Sequence, residues 1–153
     1  MRKISIISLT SSKKDAYQDL VKEYQKRLKP HLDLELIEIP ALSFSSTNIS
    51  EIKRKETLKV LKLLEKRSEA DIFILSEEGV ELDSVSFSRQ IFSDTKPLVF
   101  IIAGSLGFDF SLLKAYPRLS LSKMTFLHDM ARLILIEQIY RAWAIERGKT
   151  YHY

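Results

Sequence analysis

Apolar residues gather in five short runs along this chain, and between the runs they recur at about every third or fourth position. The runs cover residues 4–9, 32–39, 72–75, 98–102 and 119–122. Their density and shortness predict strands. Residues 32–39 stand apart, because Leu32, Leu34 and Leu36 alternate with Asp33 and Glu35, the pattern of a strand with one wet face. The run at 98–102 is the most apolar and is expected at the centre of a sheet.

Spacing predicts helices in between. Over 15–28, Tyr17, Leu20, Val21, Tyr24 and Leu28 share a helical face, and Pro30 ends it. Over 49–67, Leu58, Leu61 and Leu64 do the same, with Asn48 and Glu51 spaced as a capping pair. Shorter helices are expected over 84–92, capped by Ser84, and over 108–115. The longest spans 127–147, and Gly148 suits its C-terminal cap. Residues 41–50 read as a serine-rich loop and residues 76–79 as a turn.

Strands that alternate with helices imply an α/β fold, a mostly parallel sheet with helices on both faces and right-handed crossovers. No repeat or linker divides the chain, so a single domain over 1–153 is expected. A hydrophobic content of 45% supports a core, and the lack of cysteine removes disulfides, thiol nucleophiles and cysteine-held metals. No apolar stretch is long enough to span a bilayer, and 4–9 is too short for a secretory core, so a cytoplasmic protein is expected.

Charge changes the picture more. The net +4 is uneven: residues 1–70 hold 15 Lys and Arg against 10 Asp and Glu, whereas residues 71–153 hold 9 against 10. Much of the excess sits on the helix at 49–67, as Lys53, Arg54, Lys55, Lys59, Lys62, Lys66 and Arg67. A solvated helix face accounts for this; a surface that meets phosphates is the sharper reading.

Three strand ends carry the candidate chemistry. Leu75, the stretch 102–104 and Leu121 with Ser122 fall at carboxyl ends, where an open parallel sheet forms its ligand crevice. Gly104 and Gly107 make a strand-to-helix turn that is neither a dinucleotide fingerprint nor a P-loop. Its uncharged surroundings suit a ring such as adenine better than a triphosphate. His31, His128 and His152 lack metal-ligand spacing, so no metal is expected. Glu77 and Glu78 lie beside the crevice, where a carboxylate accepts from a ribose hydroxyl or is merely solvated. The longest helix is apolar around most of its girth and needs two surfaces to pack on, one its own sheet and the other a second copy of the chain. A homodimer follows, and Arg132, Glu137 and Arg141, set into that helix, need partners.

Several segments resemble one known family. They are 100–107 (FIIAGSLG), 119–126 (LSLSKMTF), His128, 135–143 (LIEQIYRAW) and Tyr151 with His152. They are similar to the RlmH family, the ribosomal RNA large subunit methyltransferases H of the SPOUT class. The resemblance implies an α/β domain whose C-terminal part threads a trefoil knot. It implies S-adenosyl-L-methionine as cofactor, a homodimer, and a site completed by the partner. The substrate implied is N3 of a pseudouridine in 23S rRNA of the assembled ribosome. Carried over by position, the cofactor contacts fall on Leu75, Ala103, Gly104, Leu121, Ser122, Lys123, Met124, Thr125 and Phe126. The tail, with His152 as catalytic candidate, falls near the target base. The chain departs from the family pattern at Ala103, where glycine is usual, at Leu127, where proline is common, and at Tyr153, where a basic residue is common.

Histidine titrates near neutrality, so His152 is a candidate to take the imide proton of the nucleophilic nitrogen. Nearby cations, Lys123 or Arg132, offer a competing way to favour the ionised base. Two other readings stay open on residues alone: a flavodoxin-like small-ligand binder, and a non-catalytic ribosome-associated module that uses the basic helix.

Overall fold

A computed structural model describes residues 1–10 and 15–153. Five strands form one sheet: β1 (Lys3–Thr10), β2 (Asp33–Pro40), β3 (Asp71–Glu81), β4 (Leu98–Ile102) and β5 (Arg118–Ser120). Four α-helices join or follow them: α1 (Gln18–Leu28), α2 (Ile49–Leu64), α3 (Ser84–Phe92) and α4 (His128–Glu146). Strand order is β2-β1-β4-β3-β5, and every neighbouring pair is parallel. β4 occupies the centre and all five of its residues are buried, as its unbroken apolar run requires. β1 beside it is buried throughout Ile4–Leu9, its polar Ser5 and Ser8 included.

Helices cover both faces. α1, α3 and α4 close one face, where Val21, Leu28, Phe87, Ile91, Leu135, Ile136 and Ile139 pack on Ile4, Ile6 and Phe100. α2 closes the other with Val60 and Leu64, helped by Phe108 and Leu113 from the segment after β4. Sequestering a side chain such as Phe100 or Leu135 contributes about 2–3 kcal/mol each, so these two layers carry the fold. Among the described residues, no helix is long and apolar enough to cross a membrane.

Several local expectations shift. Asn48 makes no side-chain cap at α2; its Oδ1 instead accepts the Ser45 amide at 2.6 Å and closes the preceding loop. α3 is capped by Asp83, which accepts from the Ser86 amide at 2.7 Å, so the cap lies one residue ahead of Ser84. That bond, with the Ser86 side chain, holds the Asp83 carboxyl below its usual range. Residues 108–115 form no α-helix, only a 3₁₀ turn at Phe110–Leu112. The stretch 76–79 is no simple turn either. It belongs to β3, which pairs with Leu119 at Leu75 and again at Val80 and bulges out in between.

Gly79 explains that bulge. A Cβ built there would lie 2.7 Å from backbone atoms of Arg118 and Leu119. The two main chains press together at this point, and only a residue without a side chain fits.

Candidate active site

The bulged middle of β3, the carboxyl end of β4 and the loop after β5 surround one cavity of about 550 Å³. β4 delivers Ile102 and the loop 103–107. Gly107 takes φ of 76° and its amide donates to the Gly104 carbonyl at 3.1 Å, which folds the loop back on itself. The loop after β5 is shaped by its own serines: Ser120 donates to the Ser122 carbonyl at 2.8 Å, and the Met124 amide donates to Ser122 Oγ at 3.1 Å. The first turn of α4, with His128 and Ala131, closes the floor.

Eight of the nine residues expected at the cofactor line this cavity: Leu75, Ala103, Gly104, Leu121, Ser122, Met124, Thr125 and Phe126. Lys123 does not; it is exposed, between two lining residues. Met124 is 73% exposed and forms the rim. Ala103 is accommodated, with its methyl packed against the core on the α2 face. The wall is mainly apolar; its polar side chains are Ser76, Ser105, Ser122, Thr125 and His128, and its carboxylates are Glu77 and Glu78. Glu78 is engaged by Arg118 at 3.3 Å, and that guanidinium lies 3.8 Å above the Phe110 ring. Glu77 is exposed at the mouth and makes no ion pair among the described residues.

His128 is a lining residue that strand-end reasoning passed over. Its side chain is 14% exposed, and its buried Nε2 has no hydrogen-bond partner, with Asp129 Oδ1 at 3.5 Å. The signal was its position directly after 121–126 at the start of the helix; there it reads as a helix-terminus residue and not as part of the wall.

His152 is elsewhere. The tail folds back onto α4, where Tyr151 donates to Glu137 Oε1 at 3.0 Å and the Tyr24 hydroxyl lies 3.0 Å away. Burial and these two bonds push the Tyr151 phenol well above its ordinary range. Arg141 donates to His152 Nδ1 at 3.3 Å, which leaves the ring hydrogen on Nε2. Arg141 follows His128 by thirteen residues, so at 1.5 Å per residue the imidazole stands roughly 20 Å along α4 from the cavity of its own chain.

Arg132 is also removed from the list of free cations. It is 3% exposed and its two terminal nitrogens bind Glu38 and Asp15. Burial opposes its charge, but these two bonds outweigh burial and raise its pKa further. It acts as a rivet between α4, the end of β2 and the start of the α1 region.

A parallel, doubly covered sheet with a cavity walled by β3, the end of β4 and the loop after β5 defines an α/β fold with a ligand-sized cleft, and comparison with known proteins makes the class specific. The family model described as a predicted SPOUT methyltransferase matches residues 2–152. A Kosmotoga olearia protein named ribosomal RNA large subunit methyltransferase H is 41% identical over 138 residues, covering 87% of this chain and 88% of that protein. One of the same name from Ruminiclostridium cellulolyticum is 39% identical, with 98% and 99% covered. Among solved structures, a probable methylase family protein from Haemophilus influenzae superposes with a TM-score of 0.61 at 12% identity, covering 99% of this chain and 71% of that one. A putative RNA methyltransferase from Bacillus anthracis gives 0.58 at 13%, with 98% and 99% covered. The chain belongs to the SPOUT methyltransferase family, within the group of ribosomal RNA large subunit methyltransferases H.

Proposed function

We propose that this protein methylates N3 of a pseudouridine in 23S rRNA of the assembled large subunit, using S-adenosyl-L-methionine, as a cytoplasmic homodimer of single knotted SPOUT domains. The observation that carries the reading is the cavity. Eight of its lining residues are those the family resemblance assigns to the cofactor, and five of them, Leu75, Ala103, Gly104, Leu121 and Ser122, are also reached through the strand ends. Its size lies within the range of small-molecule sites, and apolar groups make up most of its lining. An adenine ring fits such a wall, and Glu77 at the mouth is placed to accept from ribose hydroxyls. When bound, the cofactor supplies an activated methyl carbon; the chemistry is its own.

The chain's residues then have to bind, orient and keep out water. Leu75, Ala103 and Gly104 wall one side. Leu121, Ser122, Met124, Thr125 and Phe126 wall the other, and Lys123 faces solvent at the rim.

The target nitrogen must lose a proton, and His152 is proposed as the group that holds the base in place and receives that proton. In its docked position the imidazole is too far from its own cavity, so it serves the cavity of a second copy. α4 offers the route. Met130, Ile134, Glu137 and Arg141 are spaced four, three and four residues apart on one face, running from the cavity to the tail. Two such faces packed antiparallel about a two-fold axis would set each tail beside the other chain's cavity. Arg141 now occupies Nδ1, so proton uptake there requires His152 to leave Arg141 first.

Calorimetry with S-adenosylhomocysteine, and mass spectrometry of rRNA nucleosides from cells with and without the protein, test the reading. Saturable binding and loss of one methylated pseudouridine on deletion are expected. No binding at millimolar ligand, or an unchanged nucleoside profile, would refute it.

A further inference from the structure

We infer that the outer face of α2 is the surface on which the rRNA phosphate backbone docks, a conclusion that rests on the proposed function and names how its substrate is held. The helix and the 3₁₀ turn that extends it over Glu65–Arg67 carry seven basic residues between 53 and 67, and the structure sorts them. Lys55, Lys59, Lys62 and Lys66 are spaced four, three and four residues apart, so they form one stripe along one helical face, and all four are exposed. The stripe is roughly 16 Å long at 1.5 Å per residue.

Three of the four charges of this stripe have no ion-pair partner among the described residues. Lys55 pairs with Glu51 at 2.8 Å, but Lys59, Lys62 and Lys66 make no ion pair among the described residues. Glu56, a carboxylate on the same helix, is turned inward. It is 2% exposed and accepts the Leu42 amide at 2.9 Å. Of the two acids between Lys55 and Lys66, Glu56 is thus withdrawn from their field, and Glu65 is exposed but makes no ion pair among the described residues. Leu58 lies among them, 44% exposed, on the shallow groove that Lys55, Lys59 and Lys62 border.

Position connects this face to the cavity. α2 begins where β2 ends, at the carboxyl edge of the sheet, and Thr57 at its middle accepts the Asp109 amide at 3.0 Å. Asp109 directly follows Phe108 of the cavity wall. Its carboxyl is held below the usual range, first by the Ser111 hydroxyl and further by the nearby Arg54 and Lys53. The basic helix therefore buttresses the glycine loop. Thr57 is buried on the inner face of α2, opposite the stripe, so an RNA that offers a base to the cavity reaches the lysines by wrapping over the helix. α2 covers the face of the sheet opposite α4, so a dimer formed through α4 leaves both stripes open.

The test is the double variant K59E/K62E in the full chain, against a control of equal charge, K96E/K114E, two exposed lysines on the loops that lead into β4 and β5. Binding to purified ribosomes is measured by co-sedimentation over a series of KCl concentrations. Methyl transfer and S-adenosylhomocysteine calorimetry are run in parallel. Expected for K59E/K62E are ribosome binding weakened by about tenfold or more and a log–log salt slope shallower by roughly 1.4–1.8, two phosphate contacts fewer. Cofactor affinity stays at the wild-type value and the control retains its ribosome affinity. The inference is overturned by an unchanged affinity and slope in K59E/K62E, by an equal loss in the control, or by a wild-type protein that does not bind ribosomes. A wild-type protein that binds ribosomes through this stripe and transfers no methyl group leaves the inference standing and removes the proposed function instead.

Discussion

Two single residues decide most about the cavity rim, and they do so for opposite reasons. Gly79 matters for what it lacks. Its missing side chain lets β3 cross within van der Waals reach of the Arg118 and Leu119 backbones, atoms that cannot swing aside. Gly79→Ala is expected to cost about 3 kcal/mol, the upper range of overpacking, read as a lower urea midpoint with an unchanged slope. Glu77 matters for what it offers, an unpaired acceptor at the mouth beside a neighbour that is already held by Arg118. Glu77→Gln keeps the shape and drops the charge. S-adenosylhomocysteine affinity should fall about tenfold, the worth of one charge-assisted hydrogen bond, with no change in thermal midpoint. Equal affinity would place the ribose elsewhere.

At the scale of elements, α4 organises the molecule through three charged or polar anchors that periodicity alone cannot pair. Arg132 is held by Asp15 and Glu38, two acids from segments more than ninety residues distant in sequence. Arg132→Met should destabilise by about 3 kcal/mol, because it leaves Asp15, only 13% exposed, facing Glu38 without a cation; chemical denaturation at neutral pH reads this directly. The tail gives a pH signature. The Tyr151 phenol is held protonated by burial and by its bonds to Tyr24 and Glu137, so its folded pKa lies above the ordinary value of 10.0. Its contribution is full below about pH 10 and is lost as pH rises through the folded value. Tyr151→Phe should therefore lose about 1 kcal/mol of tail docking at neutral pH and show a flatter loss of amide protection in alkali than the wild type.

These anchors also mark where the sequence stopped being readable. The strands, the four α-helices and the position of the cleft follow from local spacing and from the rule that parallel strand ends form crevices; Leu75, Ala103, Gly104, Leu121 and Ser122 came with them, whereas Met124, Thr125 and Phe126 came only with the family resemblance. The bulge at 76–79 was read as a turn because Ser, Glu and Gly have turn chemistry; the pairing of Leu75 and Val80 with the same Leu119 is a long-range fact. Likewise Asn48 looked like a helix cap, but the Ser45 amide competes for its oxygen. The seat of the tail depended on a tyrosine 127 positions earlier, and no local pattern announces such a contact.

At the scale of the whole molecule, one chain presents a cavity at one end of α4 and a tail at the other, and the proposed reaction needs both. Complementation separates the two ways of joining them. A chain with His152→Ala keeps its cavity and lacks its imidazole. A chain with Ser105→Trp keeps its tail, and its indole fills the cavity from the exposed rim, without disturbing the core. Each alone should be inactive on ribosomes. If tails act across a two-fold dimer, unfolding and refolding the two together makes about half the dimers mixed, each with one complete site, and restores about a quarter of wild-type activity. If each tail served its own cavity, no mixture could combine a working imidazole with an open cleft. Ile134, half-buried on the outward stripe of α4, tests the geometry independently. Ile134→Asp sets a charge into the centre of the expected interface, so sedimentation should show monomers and the complementation should vanish with the dimer.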